Sequence, residues 1–367
     1  MIWGLYMIGF LIRKLYNRRL ESLPESARKL FNQGKQYLTT GLSDGDDATD
    51  GFCTLFQVYQ PLRAADESPH GLTSPSKEMS VGILNTPMRR SAPLHHLQTY
   101  VQWKAAQDLN NFYSLCLPKR QTIYIQPIST FPDFIHSFRF KSQNLSLSLF
   151  ETIQAFLQIF FSGLEVLQLP PMPLEEFAGA VRSRVHPVTG TQQLCLNDLY
   201  PLLFRFLPPN GLCIMGISWT DIFPEGHNFA LGEASVQDRS AVISFGRFET
   251  KGFDAKAHCD ITEINGPVIW KLIKSSSHEL CHLLGLQHCT FFLCAMNESS
   301  SMDEAMNQPL FLCPVCLRKL QKACGFDVLE RYTLLQKFLS GLAQQFTDEK
   351  FKECLAWLDR CVAYLNS

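Results

Sequence analysis

The chain has 367 residues with 33 Lys and Arg against 34 Asp and Glu, a formal net charge of −1. No general field therefore draws it to nucleic acid or to an anionic membrane. Apolar residues make up 46% and charged residues 18%, the balance of a globular protein with a sizeable core, and this excludes a disordered chain.

Met1 to Ile12 are apolar and are followed by Arg13, Lys14, Arg18 and Arg19. A membrane-spanning helix needs about 20 apolar residues, so no stable membrane insertion is expected. A secretory signal places its positive charge before the apolar run and small residues after it, and neither is present. The expectation is an amphipathic or buried segment, with a targeting role left open. Residues 41–93 are rich in Gly, Ser, Asp and Pro and read largely as loop or disorder.

A compact region is expected from near Gln121. Ile123 to Ile128 form a strand candidate. Leu149, Phe150, Ile153, Phe156, Leu157, Phe160 and Phe161 recur at helical spacing, which predicts an amphipathic helix over 144–162 closed by Gly163. Val166 to Leu169 read as a short strand, 196–207 as a helix, and Cys213 to Ser218, Phe229 to Ala234 and Ala241 to Phe245 as strands. Pro267 suits the first turn of a long helix running to Gly285. Two amphipathic helices, over 327–341 and 347–365, close the chain, with Thr347, Asp348 and Glu349 as the second start. Strands alternating with helices predict an α/β layer structure with a largely parallel sheet.

The run from Ser277 to His288 carries the chemistry. His278 and His282 lie four apart, so on a helix both imidazoles project to one side and can share a metal. Glu279 follows the first histidine, close enough to act as a general base without being a ligand. Gly285 can take the left-handed conformation that ends a helix, which lets the chain bring His288 back as a third ligand. Three ligands leave a fourth position for water, the mark of a catalytic zinc.

Thirteen cysteines are an odd number, unevenly spaced. Cys53, Cys116, Cys195, Cys213 and Cys259 are scattered, while Cys281, Cys289, Cys294, Cys313, Cys316 and Cys324 crowd together. Clustered cysteines beside histidines fit a metal site in a reducing compartment, cytoplasmic or nuclear, better than a secreted disulfide framework. Cys289, Cys294, Cys313 and Cys316 make a C-x4-C and a C-x2-C pair, the composition of a closed structural zinc site. Cys281 and Cys324 are not needed by it.

Together, His278-Glu279-x-x-His282-x-x-Gly285-x-x-His288-Cys289, Cys294-x-Met296 and Cys313-x-x-Cys316 resemble the archaemetzincins, a metzincin family that combines an extended histidine motif with a four-cysteine zinc site. The resemblance covers roughly 121–324, and length suggests a eukaryotic member. It implies a metzincin-like catalytic domain over 121–325 with a mostly parallel twisted sheet, an antiparallel edge strand over the cleft, a long active-site helix and a four-cysteine zinc module. Residues 1–120 form an N-terminal region and 326–367 a helical extension. The edge strand fits Asn228 to Ser235, and Met296 is placed beneath the catalytic zinc. Where some metzincins carry a catalytic tyrosine two positions after that methionine, this chain has Glu298.

The expected activity is hydrolysis of peptide bonds in peptide or protein substrates by a monomer with two zinc ions, catalytic and structural. Exopeptidase and endopeptidase action both stay open. So do two alternatives: hydrolysis of a non-peptide amide, and a zinc-stabilised protein-interaction module with little or no peptidase activity.

Overall fold

The structure, a computed structural model, describes residues 98–366 apart from 114–119, 129, 143–144, 174–178, 188, 249–260, 291 and 300–301. The N-terminal apolar segment, the 41–93 stretch and Cys53, Cys116 and Cys259 lie outside the described residues.

In chain order the elements are α1 (Tyr100–Tyr113), β1 (Thr122–Ile128), α2 (Asp133–Ser137), β2 (Phe140–Ser142), β3 (Leu145–Leu147), α3 (Leu149–Phe160) and β4 (Glu165–Gln168). Next come β5 (Ser183–Val185), β6 (Gln192–Cys195), α4 (Leu196–Phe206), β7 (Gly211–Ser218), β8 (Asp221–Phe223), β9 (Gly232–Ser235) and β10 (Ser240–Ser244). The long helix α5 (Gly266–Leu283) follows, then α6 (Met302–Asn307), α7 (Pro314–Cys324), α8 (Val328–Gln345) and α9 (Glu349–Asn366).

The central sheet has the order β4-β1-β7-β10-β9. The first four strands are parallel and β9 runs antiparallel on β10, with Gly232 opposite Ile243. This is the mixed α/β arrangement that the alternation of elements predicts. Successive side chains of a strand face opposite ways, and the core divides accordingly. Ile123, Ile125, Met215, Ile217 and Ile243 pack with α3 and α5 on one face. Tyr124, Ile128, Ile214 and Val242 pack with α4 on the other. A small sheet, β5-β6-β8, and the hairpin β2–β3 lie outside this framework.

Several boundaries differ from expectation, among them the end of α8, which runs to Gln345 where 341 is predicted. The helix predicted over 144–162 begins at Leu149, because Leu145–Leu147 pair with Phe140–Ser142 and Ser148 then caps α3 in a reciprocal box with Glu151. The strand predicted over 229–234 narrows to Gly232–Ser235, since Ala230 turns away to bridge Ile222. Helix α1 precedes Gln121, yet its Trp103 is 2% exposed and already belongs to the core. At the start of α9 the capping oxygen comes from Asp348, which accepts from the N–H of Lys350.

Helix α5 sits against β9, β10 and α3. At its far side Trp270 meets Phe351 of α9 edge-on at 5.7 Å, and Trp357 of α9 stacks on Phe311 at 4.5 Å, so the C-terminal helices brace the helix that carries the histidines. Among the described residues no helix is long and apolar enough to cross a membrane.

The start of α5 depends on one side chain. Asn265 accepts from the N–H of Val268 at 3.1 Å, and Pro267 fills the first turn, where no N–H is needed. Asn265→Ala should lower stability by about 1 kcal/mol, read as a shift of the denaturant midpoint at unchanged slope. An unshifted midpoint would show that the cap does not hold this helix.

Candidate metal centre

His278 and His282 occupy successive turns of α5 and point the same way, with ring centroids 4.7 Å apart. Leu284 ends the helix. Gly285 then adopts φ +81°, a left-handed conformation that suits glycine, and its N–H bonds to the carbonyl of His282 at 2.8 Å. The reversal carries His288 back, to ring distances of 5.5 Å from His278 and 4.8 Å from His282. Each histidine offers a ring nitrogen within 4.8 Å of the other two.

The hydrogen bonds around the rings show how they fit a metal. His278 Nδ1 lies 2.7 Å from the carbonyl oxygen of Ala295, and His282 Nδ1 lies 2.7 Å from that of Leu286. A carbonyl only accepts, so each Nδ1 carries the hydrogen and each Nε2 bears a lone pair. Those two Nε2 atoms stand 3.0 Å apart. Two facing lone pairs repel unless a cation lies between them. Burial, with the neighbouring histidines adding, pushes His278 down to about 3 and His282 down to about 4, so a proton is not that cation near neutrality. The donor set, three imidazoles, suits zinc.

Glu279 projects from the same helix beneath the start of β9. A Cβ at Gly232 would lie 3.3 Å from Glu279 Oε1, so the carboxyl lies against the edge strand. Burial pushes it up to about 8, and the Glu233 carboxylate adds in the same direction. A cation held by the histidines would draw it back down.

The four predicted cysteines converge separately. Cys289, Cys294, Cys313 and Cys316 are buried, unbridged, and place their sulfurs within 4.8 Å of one another. Cys289 Sγ and Cys313 Sγ are 3.6 Å apart, close to the ~3.8 Å edge of a tetrahedron with Zn–S bonds of ~2.3 Å. The N–H groups of Cys313 and Met296 point at Cys294 Sγ at 3.2 and 3.5 Å. Burial resists ionisation of Cys289, but the thiols of Cys294, Cys313 and Cys316 overcome it and hold it well below the usual thiol range. Burial first, and then these same bonds, push Cys294 up. Cys281 and Cys324 stand outside the cluster, raised by burial, as the spacing predicts.

Met296 is fully buried, and its carbonyl accepts from the N–H of Cys289 at 2.6 Å. Glu298 is exposed. The residue that sequence reasoning misses is Asn297. It is 2% exposed; its Nδ2 donates to the carbonyls of Cys289 and Phe292, and its Oδ1 accepts from the N–H of Cys294. It therefore ties both ends of the first cysteine pair. Lys274 is likewise buried, bonding the carbonyls of Ala305 and Gln308 from the turn of α5 before His278.

Comparison with known proteins follows the motif. The model of peptidase family M54 matches residues 207–322, a span that includes both clusters. Archaemetzincin-2 of Mus musculus is 29% identical over 304 residues, covering 72% of this chain and 82% of its own length. Archaemetzincin-1 of Homo sapiens is 27% identical over 328 residues, 80% of this chain and 63% of its own length. The crystal structure of archaemetzincin from Archaeoglobus fulgidus, complexed with malonate, aligns to 54% of this chain and 99% of its own, at 25% identity and a TM-score of 0.37.

Removing the Asn297 amide should break three hydrogen bonds to buried backbone groups. Asn297→Ala is expected to cost about 3 kcal/mol, at roughly 1 kcal/mol for each bond lost. Denaturant unfolding of the metal-loaded protein measures it, and a loss under 1 kcal/mol would mean that water replaces the amide.

Proposed function

We propose, from the premise that this chain is a homologue of the archaemetzincins with a peptidase family M54 domain, that it hydrolyses peptide bonds with a zinc ion held by His278, His282 and His288. The observation that supports the reading most is the pair of bare Nε2 atoms 3.0 Å apart, with Glu279 next to His278 in sequence and its carboxyl against the sheet edge. When bound, zinc supplies Lewis acidity toward the scissile carbonyl and lowers the pKa of water from about 15.7 toward about 7.

The remaining work falls to the chain. Glu279 takes the proton of the attacking water and returns it to the leaving amine. Its carboxyl lies against β9, with Oε1 3.3 Å from where a Cβ of Gly232 would stand. Among the described residues the outer edge of β9 has no strand partner. A peptide lying antiparallel along that edge gains main-chain hydrogen bonds and sets its carbonyls across from Glu279. Gly232 has no side chain to hold it off.

In this reading Cys289, Cys294, Cys313 and Cys316 hold a second zinc with no open position, which contributes to folding and not to chemistry. Met296 supports the histidines from the same loop. The substrate is a peptide or protein.

Glu279→Ala tests the assignment. Turnover of a peptide library, read by mass spectrometry, should fall by at least ~10²-fold, the lower range for losing a general acid–base group, while zinc content stays that of the unaltered protein. Retained turnover would transfer the role to another residue, and loss of zinc would make Glu279 a ligand.

A further inference from the structure

We infer that helix α1, with the residue pair that leads into it, is a positioning element for the zinc-binding histidines, acting through the backbone carbonyls that follow α5; the inference rests on the three-histidine reading above. This helix lies outside the residues matched by the family model, and no histidine belongs to it.

Carbonyls at the end of a helix have no N–H one turn ahead and must find partners elsewhere. Past α5 three successive ones are accounted for. The oxygen of Leu284 accepts from Trp103 Nε1 at 3.1 Å and from Gln107 Nε2 at 3.5 Å. The oxygen of Gly285 accepts from Gln98 Nε2 at 2.9 Å. The oxygen of Leu286 accepts from the ring of His282. Gln98 also receives a bond, since its Oε1 accepts from the N–H of Gln287 at 3.1 Å. One side-chain amide thus pairs with residues 285 and 287 as the peptide of a neighbouring strand would.

Gln98 is itself held. Lys319 Nζ donates to its backbone oxygen at 2.6 Å and to its Oε1 at 2.9 Å, and Lys319 is 1% exposed. Lys319 stands on α7, the helix that also carries Cys316. Gln107 also comes close to the turn, with a side-chain end that can move. A Cβ at Gly285 would lie 2.3 Å from Gln107 Nε2, on a residue whose φ is already +81°.

The consequence reaches the histidines on either side of the turn, His282 before it and His288 after it. With peptides 284–287 fixed from outside, the Leu286 carbonyl is aimed at His282 Nδ1, which keeps the lone pair on the Nε2 that faces His278. The chain also leaves the turn in one direction, toward His288, which is exposed and depends on this path for its position. Released from α1, the turn would sample other peptide orientations, and ordering it would cost part of the zinc-binding free energy.

The test uses the full chain with Trp103→Phe, which keeps an aromatic ring and loses the donor, and Gln98→Leu, which keeps size and loses both bonds to the turn along with the Lys319 bond to Oε1. Zinc affinity of the labile three-histidine site, as against the tightly held zinc of the four cysteines, is measured by competition with a chelator, and amide exchange at Gln287 is followed by mass spectrometry. The double variant should bind the labile zinc at least about tenfold more weakly, exchange faster at Gln287, and keep the tightly held zinc. Unchanged affinity and exchange overturn the inference, even if the melting temperature falls, because the helix would then be only structural. Should the double variant not fold, Trp103→Phe alone decides on the same two readouts. A parent chain with no labile zinc would overturn the three-histidine reading and this inference with it, whereas unaltered variants of a chain that has one overturn this inference alone.

Discussion

Two imidazole nitrogens 3.0 Å apart, each with its ring hydrogen committed to a carbonyl on the opposite side, form the constraint from which the rest of the site follows. Helix geometry brings the rings together, since residues four apart share a face. The carbonyls of Ala295 and Leu286 decide which nitrogen is bare. Both carbonyls belong to segments after α5, so the chain beyond the helix, and not the helix itself, sets the chemistry of the ligands. A loop with that duty has to be rigid, and loops on their own are not.

The rigidity has three sources, each a different kind of interaction. The four cysteines gather residues 289, 294, 313 and 316 around one point. Asn297 satisfies three backbone groups inside the same loop. Helix α1, through Trp103, and Gln98 just before it supply donors for the carbonyls of the turn. Lys319 joins the first and third of these, because it rises from the cysteine-bearing helix and ends on Gln98. The histidine and cysteine clusters are adjacent in sequence at His288 and Cys289, and in space they share one scaffold.

What could be read from the sequence is what is local. The spacing of His278 and His282, the glycine that reverses the chain, and the C-x2-C pair are each visible within a few residues, as is the alternation that gives a mostly parallel sheet. The helix predicted over 196–207 is found at Leu196–Phe206. The parts that escape such a reading are long-range or lack a pattern. Gln98 and Gly285 are 187 residues apart, and nothing in Gln98-Thr99-Tyr100 marks a partner for a distant turn. Asn297 is one more polar residue in a loop until its three bonds are seen. The second strand of the β2–β3 hairpin hides inside the helix predicted over 144–162, because Leu145, Leu147 and Leu149 suit a strand and a helix equally well, and pairing with Phe140–Ser142 decides the matter.

The central claim is that one chain holds two chemically distinct metal sites in a single scaffold. Anomalous diffraction at the zinc edge, from crystals grown without added metal chelator, tests it most directly. The account predicts two peaks per chain, one bounded by the ring nitrogens of His278, His282 and His288 and one by the sulfurs of Cys289, Cys294, Cys313 and Cys316. A single peak at the cysteines, with the histidine nitrogens still facing each other around ordered water, would contradict it.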